Sequence, residues 1–551
     1  MRITGELVTL SELHIGSGTE EEIPPPGGQV KEQEPRRYAS ICLDVHGAPY
    51  IPGASLRGYL AQALAVGGVD PRRHARLFGI ARRRHEESLG AEQDYGNAGA
   101  LRVYDALWQG SAGATGALRS RVGIDAITGT AEAHKLFTHA VVLPGGIFRV
   151  HLELVRIGEY SISQRDITAV LGGLAGLNYC GWAALGQGKG HGRGKLRWRA
   201  DSVRVTVLTR EALRDWLLDD GALDTRFETL ETVEPDRLSV EPPLRFGLRL
   251  VPLAPLLVKD PEVVKNKEAD PQAPDLNFFR VNDRVVVPGS SLRGLVRARC
   301  RRILLTMLEA ASAASRSDDD PDGQANQLIG ELFGSDEAAG WIRFGDATAR
   351  FRQGDRHRQF FNAVDRFTGG VRQGALYHVE AIWPDVLRAR IELRPEVLQK
   401  DRRWMLGLLA LVLRDAMEED LAVGWGRGRG FGAFRAEVRL PARFAHFADW
   451  QSFCQTEVDG RDIGDALAIT ARRRPRGVAR RTTVALLRRP SRRGSRGGGL
   501  VGALRSGGGV GRCPHLRLGA VLRAVWRCAQ AAGKRLLYPF RPRHSLQGSW
   551  P

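Results

Sequence analysis

Five short motifs occur twice in this chain, in the same order and at nearly constant spacing, and that duplication limits its fold more than anything else in it. Ile51-Pro-Gly-Ala-Ser-Leu-Arg-Gly58 returns as Val287-Pro-Gly-Ser-Ser-Leu-Arg-Gly294, an offset of 288 − 52 = 236 from proline to proline. Arg102-Val-Tyr-Asp105-Ala answers to Arg343-Phe-Gly-Asp346-Ala, and Val122-Gly-Ile-Asp125-Ala-Ile-Thr128-Gly129 to Asn362-Ala-Val-Asp365-Arg-Phe-Thr368-Gly369. The run Gly186 to Gly194 answers to Gly424 to Gly432. Leu77-Phe-Gly79 answers to Leu332-Phe-Gly334, whose larger offset requires an insertion after the preceding helix. The chain is therefore read as a tandem duplication of one domain of roughly 200 residues.

Within each copy the pattern is α+β. Phe148 to Leu154 and Leu387 to Leu393 alternate apolar and polar residues, as half-buried strands do. Leu292 to Leu308 and Trp404 to Met417 carry apolar residues at helical spacing. Strands at both ends with helices between them predict two ferredoxin-like, RRM-like antiparallel sheets, each covered on one face. The expected domains are residues 1–200 and 241–440, with an acidic connector over 201–240, a closing segment over 441–470 and an Arg/Gly-rich tail over 471–551.

The Pro-Gly-x-Ser turn predicts a strand end, a tight turn and a helix capped by Ser55 or Ser291. Such a helix start, with Arg57 or Arg293 just inside it, suits a phosphate; an ordinary turn-then-helix is the plain alternative. Neither glycine-rich run opens a helix, which excludes a Rossmann or P-loop site. Lys189, His191 and Arg193, like Arg427 and Arg429, interleave the glycines and suit a sugar-phosphate backbone. The Thr-Gly segments between Ile124 and Phe137 and between Val364 and Tyr377 read as hairpins, with Asp125 and Asp365 in structural roles.

Charge enters through its distribution. The formal net charge is +19, yet the last 81 residues hold 20 Lys plus Arg and no acid, leaving 81 − 20 = 61 basic against 62 acidic residues in the body. The body is about neutral, so a nucleic-acid surface on it requires segregated charge. The tail has three readings: a disordered basic segment, an out-of-frame translation, or an RNA-binding arm. Six scattered cysteines with no CxxC pair argue against a zinc site and a disulfide framework. With no signal-like start and no apolar run of spanning length, a cytoplasmic protein without membrane contact is expected.

The five motifs in this order resemble the RAMP superfamily of CRISPR effector subunits, and within it the repeated backbone subunit of type III complexes. Two such domains in one polypeptide resemble the fused backbone proteins of type III-D-like systems. The resemblance covers about residues 1–440 and implies that the chain binds a CRISPR guide RNA, assembles with other RAMP subunits and cleaves single-stranded target RNA as an endoribonuclease. The guide contacts then fall on Ser55, Arg57, Lys189, Arg193, Ser291, Arg293, Arg427 and Arg429. The hairpins become thumbs that wedge between nucleotides of the guide–target duplex, with Ile127, Thr128, Phe367 and Thr368 at their tips.

For cleavage the resemblance implies an Asp in the loop between the first strand and the Pro-Gly turn, holding a divalent metal, magnesium or manganese, or positioning a 2′-hydroxyl. In the second copy Asp275 lies nearest that position and is the expected metal ligand, with Asp270 in reserve. Asp260, which also reads as an Asp-Pro turn, is a further candidate, whereas Asp283 belongs to a turn. The first copy has no Asp at that place unless Glu34 substitutes, and is expected to bind without cutting. Two alternatives stay open: a non-catalytic RNA-binding scaffold, and a metal-independent guide-processing nuclease using His14 as general base.

Overall fold

The structure, a computed structural model, describes residues 1–22, 37–79, 98–111, 116–125, 130–158, 161–219, 226–230, 233–260, 273–281, 283–315, 320–399 and 401–444. Glu34, Ile127, Thr128, Asp270 and the whole Arg/Gly-rich tail lie outside them.

The duplication is plain in the sheets. In the first copy the strands Leu196–Val207, Arg2–Thr9, Gly146–Leu154, Ala106–Ser111 and Tyr50–Ile51 lie side by side in that order. In the second, Phe434–Arg439, Leu244–Pro252, Leu387–Leu393, Ala347–Arg350 and Arg284–Val287 repeat it. Every pairing in these two series is antiparallel. Without the short strands Tyr50–Ile51 and Arg284–Val287, the other four of each sheet stand, by chain position, in the order fourth, first, third, second, with a helix after the first strand and another before the last, the ferredoxin-like arrangement. Each sheet also carries a short strand from the Asp-Ala motif region, Leu101–Val103 on Gly146–Leu154 and Ile342–Phe344 on Leu387–Leu393.

Alternation puts one face of each sheet inside. Arg2–Thr9 buries every second residue, and Leu244–Pro252 does the same. Ile3, Leu7, Phe148, Val150 and Leu152 form the first core with Leu56, Leu60 and Leu64 of the helix Gly53–Val66 and Ile167, Leu171 and Leu174 of the helix Gln164–Tyr179. Leu60 is fully buried. Leu60→Ala is expected to destabilise the protein by about 2–5 kcal/mol in urea unfolding.

The chain forms two compact units whose boundaries cut across the repeat. Both ferredoxin-like sheets belong to the unit of residues 1–299, 329–396 and 412–445. The described part of the other, residues 300–315, 320–328, 397–399 and 401–411, is mainly helical and holds an Arg301–Asp322 ion pair.

Candidate nucleic-acid interface

The helix after each Pro-Gly turn starts three residues earlier than the serine cap predicts. It runs Gly53–Val66 in the first copy and begins at Gly289 in the second, so Ser55 and Ser291 sit inside the first turn. Their N–H groups donate to the carbonyls of Pro52 (2.9 Å) and Pro288 (2.8 Å). The cap comes instead from the link between two distant strands. Asp105 Oδ1 accepts the Gly53 N–H at 2.7 Å, and Asp346 Oδ1 accepts the Gly289 N–H at 2.6 Å. A carboxylate there satisfies one orphan donor and complements the helix dipole.

The arginines of the same motif turn inward. Arg57 Nη2 donates to the Phe78 carbonyl at 2.8 Å with its guanidinium 5.4 Å from the Phe78 ring centre. Arg293 makes the same bond to Phe333 and lies 5.6 Å from that ring. Phe78 and Phe333 are the phenylalanines of the two Leu-Phe-Gly motifs. Three of the five repeated motifs are thus one device, in which the Asp holds the helix start and the helix Arg holds the Leu-Phe-Gly turn.

The glycine loops are also built alike. Each makes one short 3-10 turn, Lys189–His191 or Arg427–Arg429, flanked by left-handed glycines at 186, 188, 192 and 194 and at 424, 426, 430 and 432. Main-chain bonds tie each loop to the segment after its first strand. Gln187 donates to His14 and Gly194 to Glu12, as Trp425 donates to Leu257 and Gly432 to Pro255. Leu257 therefore occupies the place of His14. The His14 ring is buried and donates from Nδ1 to the Ala140 carbonyl at 2.7 Å, edge-on to His139. Burial holds its pKa below the usual value.

On the loops the predicted cations divide. Lys189, Arg427 and Arg429 are exposed. Arg193 is 8% exposed and grips Glu12 through Nε (3.0 Å) and Nη2 (2.9 Å). Arg429 donates to the Tyr377 hydroxyl and lies over the Trp425 ring at 5.2 Å, inside a cluster that also holds Phe361 and Phe431. Sequence motifs alone do not reveal this aromatic cluster. Its signal lies in the positions where the copies differ, since Phe361, Trp425, Arg429 and Phe431 stand where the first copy has Arg121, Gln187, His191 and Arg193.

Of the two hairpins, the second is described through its tip. Asp365 Oδ1 accepts the N–H groups of Phe367 and Thr368, both at 2.9 Å, and these bonds hold its pKa below the usual range. The Phe367 side chain stands fully exposed, beside exposed Val364, Val371 and Leu376. In the first copy the flanking strands Gly116–Ile124 and Ala131–Val142 pair, and exposed Val122, Ile124, Leu136 and Phe137 line the hairpin.

The acid-bearing loop of the second copy is fastened beside the same hairpin. Asp275 donates from its N–H to the His378 carbonyl and accepts the His378 N–H on Oδ2, both at 2.8 Å. The Asp260 N–H donates to the Asn277 carbonyl at 3.0 Å, two residues along the chain from Asp275. Asp283 lies apart, at an exposed turn near Arg350. Among the described residues no group of three His, Cys, Asp or Glu side chains could cage a metal ion.

Several histidines of the first copy are held neutral. Burial, followed by neighbouring charges, pushes His139 down to about 4 and His191 to about 3. The unfolded chain takes up these protons below its usual histidine pKa of about 6.5, whereas the fold does not. Stability from these groups is therefore present above that pH and lost on acidification toward 4. The melting temperature is expected to fall from pH 7 to pH 5, and less steeply in His139→Gln/His191→Gln.

A family model described as the RAMP superfamily matches residues 6–197 and 241–435, one match for each copy and together well over half of the chain. The protein belongs to the RAMP superfamily, a family of CRISPR-associated RNA-binding proteins. Among curated proteins none matches the chain. No helix among the described residues is long and apolar enough to cross a membrane.

Proposed function

We propose that this chain is a two-domain backbone subunit of a type III CRISPR ribonucleoprotein, one that holds a guide RNA along its glycine loops and cleaves complementary target RNA through its second copy. The observation that carries the reading is the double construction itself. One RAMP chain presents two glycine loops with exposed cations, Lys189 and Arg427, each tied by main-chain bonds to the segment after its first strand. Cations on a rigid main-chain loop fit a phosphate backbone without reading its sequence. The exposed apolar tip at Phe367 suits bases pushed out of a duplex.

For cleavage the reading relies on Asp275. Its bonds to the His378 main chain give the carboxylate a set direction, as orienting a 2′-hydroxyl for in-line attack requires. Magnesium is usually held by one or two carboxylates together with substrate phosphates, so Asp275 with Asp260 or Asp270 fits an ion shared with the RNA better than a resident one. Such an ion would neutralise charge developing at the scissile phosphate. The first copy lacks the Asp and binds without cutting.

Lys189→Ala/Arg427→Ala tests the binding half. The salt dependence of guide binding is expected to flatten by about 0.7 in log–log slope for each phosphate that the protein no longer neutralises, with weaker affinity at every salt concentration. An unchanged affinity and slope would remove the glycine loops from the interface.

A further inference from the structure

Three buried hydrogen-bond donors gather around one indole ring where the two copies meet. Trp182 comes from the first copy, between the helix Gln164–Tyr179 and the first glycine loop. Arg343 and Arg394 come from one corner of the second sheet, where Ile342 pairs with Leu393 and the Arg394 N–H donates to the Trp341 carbonyl at 3.0 Å. Both guanidinium groups lie against the same ring, that of Arg343 4.0 Å from the Trp182 ring centre and that of Arg394 5.1 Å from it. Arg343 is 7% exposed. Its Nη1, the Nε of Arg394 and the Nε1 of Trp182 are buried and have no hydrogen-bond partner among the described residues.

An anion would complete this arrangement. A guanidinium carries five donors and no acceptor, and a buried donor left unpaired has lost its water without replacement. Burial lowers the Arg343 pKa only to about 10, so its charge remains at neutral pH. The buried acid of this corner, Glu392, is already shared by Lys195 at 3.0 Å, Arg245 at 3.5 Å and Arg390 at 3.8 Å. Burial, and after it the charge of Arg343, holds Lys189 below the usual lysine pKa, which adds another cation to the surroundings. The combination of residues is not repeated. In the first copy the counterpart of Arg343, Arg102, is exposed and Val155 stands in the place of Arg394, while in the second copy Asp420 stands in the place of Trp182. A contact to a repeating sugar-phosphate chain would recur with the motifs, whereas this cluster is single.

We propose that Trp182, Arg343 and Arg394 form a binding site for a dianionic phosphate group, either inorganic phosphate or the phosphate monoester of a nucleotide, seated between the two copies. Planar guanidinium groups match phosphate oxygens with paired N–H donors, and the indole N–H supplies one more. Two arginine charges balance the charge of about −1.5 to −2 that a phosphate monoester carries at neutral pH. Because the donors come from both copies, the bound group braces one against the other and stabilises the folded chain. The inference goes beyond the proposed function and requires neither guide RNA nor cleavage.

The test uses full-length, nuclease-treated protein dialysed free of phosphate, with binding read by isothermal titration calorimetry and by melting temperature against chloride of equal ionic strength. Inorganic phosphate and adenosine monophosphate are the probes. Wild type is expected to bind and to melt at a higher temperature as the probe concentration rises. Trp182→Phe keeps an aromatic ring beside the guanidinium groups and removes the N–H. It is expected to bind about tenfold more weakly, the scale of one hydrogen bond to a charged group. Arg394→Gln, which removes one of the two charges, is expected to weaken binding at least as far. Equal affinity for the two probes would support a site for inorganic phosphate, and tighter binding of adenosine monophosphate a site for a nucleotide. No binding by the wild type, or binding that both substitutions leave unchanged, would overturn the proposal. Binding confined to RNA without terminal phosphates would overturn it as well and assign the cluster to a diester backbone.

Discussion

Asp275→Asn is expected to slow target-RNA cutting, lowering the single-turnover rate by on the order of 10²-fold, the scale for losing the positioning of a reacting group. Guide affinity and melting temperature are expected to stay as in the wild type. The asparagine carbonyl can still accept the His378 N–H, so the loop keeps its anchor while the charge is removed. Asp260→Asn is expected to cost less, because the bond that fixes Asp260 on the Asn277 side is main chain to main chain. The measurement is cleavage of a complementary RNA by the assembled complex with magnesium. Full cutting by Asp275→Asn would move the assignment to Asp270, and no cutting by the wild type would favour a binding scaffold.

Gly289→Ala is expected to destabilise the fold strongly. Its new Cβ would lie 2.6 Å from the Phe344 carbonyl oxygen and 2.7 Å from that of His191. Both are main-chain atoms, so no rotamer change relieves the clash, and the Asp346 cap and the first glycine loop must shift together. The expected loss is about 3 kcal/mol, at the upper end for overpacking. Gly294→Ala, five residues further along the same helix, meets nothing within 4 Å. It is expected to stabilise by about 0.5–1 kcal/mol through its better helix propensity. Urea unfolding of the two variants side by side separates crowding at the helix start from a general effect of removing glycine.

Much of the fold was legible because it depends on periodicity and repetition, which are local in sequence. The strands at Leu387–Leu393 and Gly146–Leu154 and the helix Arg403–Met417 follow their patterns within a few residues. The helix caps did not follow theirs. A hydroxyl before an apolar run is a local signal, but the atom that reaches the Gly53 and Gly289 N–H groups comes from an Asp some fifty residues away, brought there by strand pairing. The same holds for Arg57 and Arg293, which look like phosphate ligands beside a helix start and are bonded to Phe78 and Phe333 inside the fold. Arg193 looks equivalent to its neighbours on the loop until Glu12 is seen to hold it. The aromatic cluster around Arg429 is assembled from the hairpin and the glycine loop, segments nearly fifty residues apart. No local pattern announces it; the comparison of one copy with the other would have.

The central claim is that the chain carries a guide RNA, and the most direct measurement is to isolate the protein from its native cells and sequence the RNA bound to it. The account predicts RNA of one or a few discrete lengths, sharing a common end sequence and differing in the remainder, and retained through the salt wash that removes non-specific RNA. RNA of broad length distribution drawn in proportion to cellular abundance, or protein free of RNA after the same wash, would contradict it.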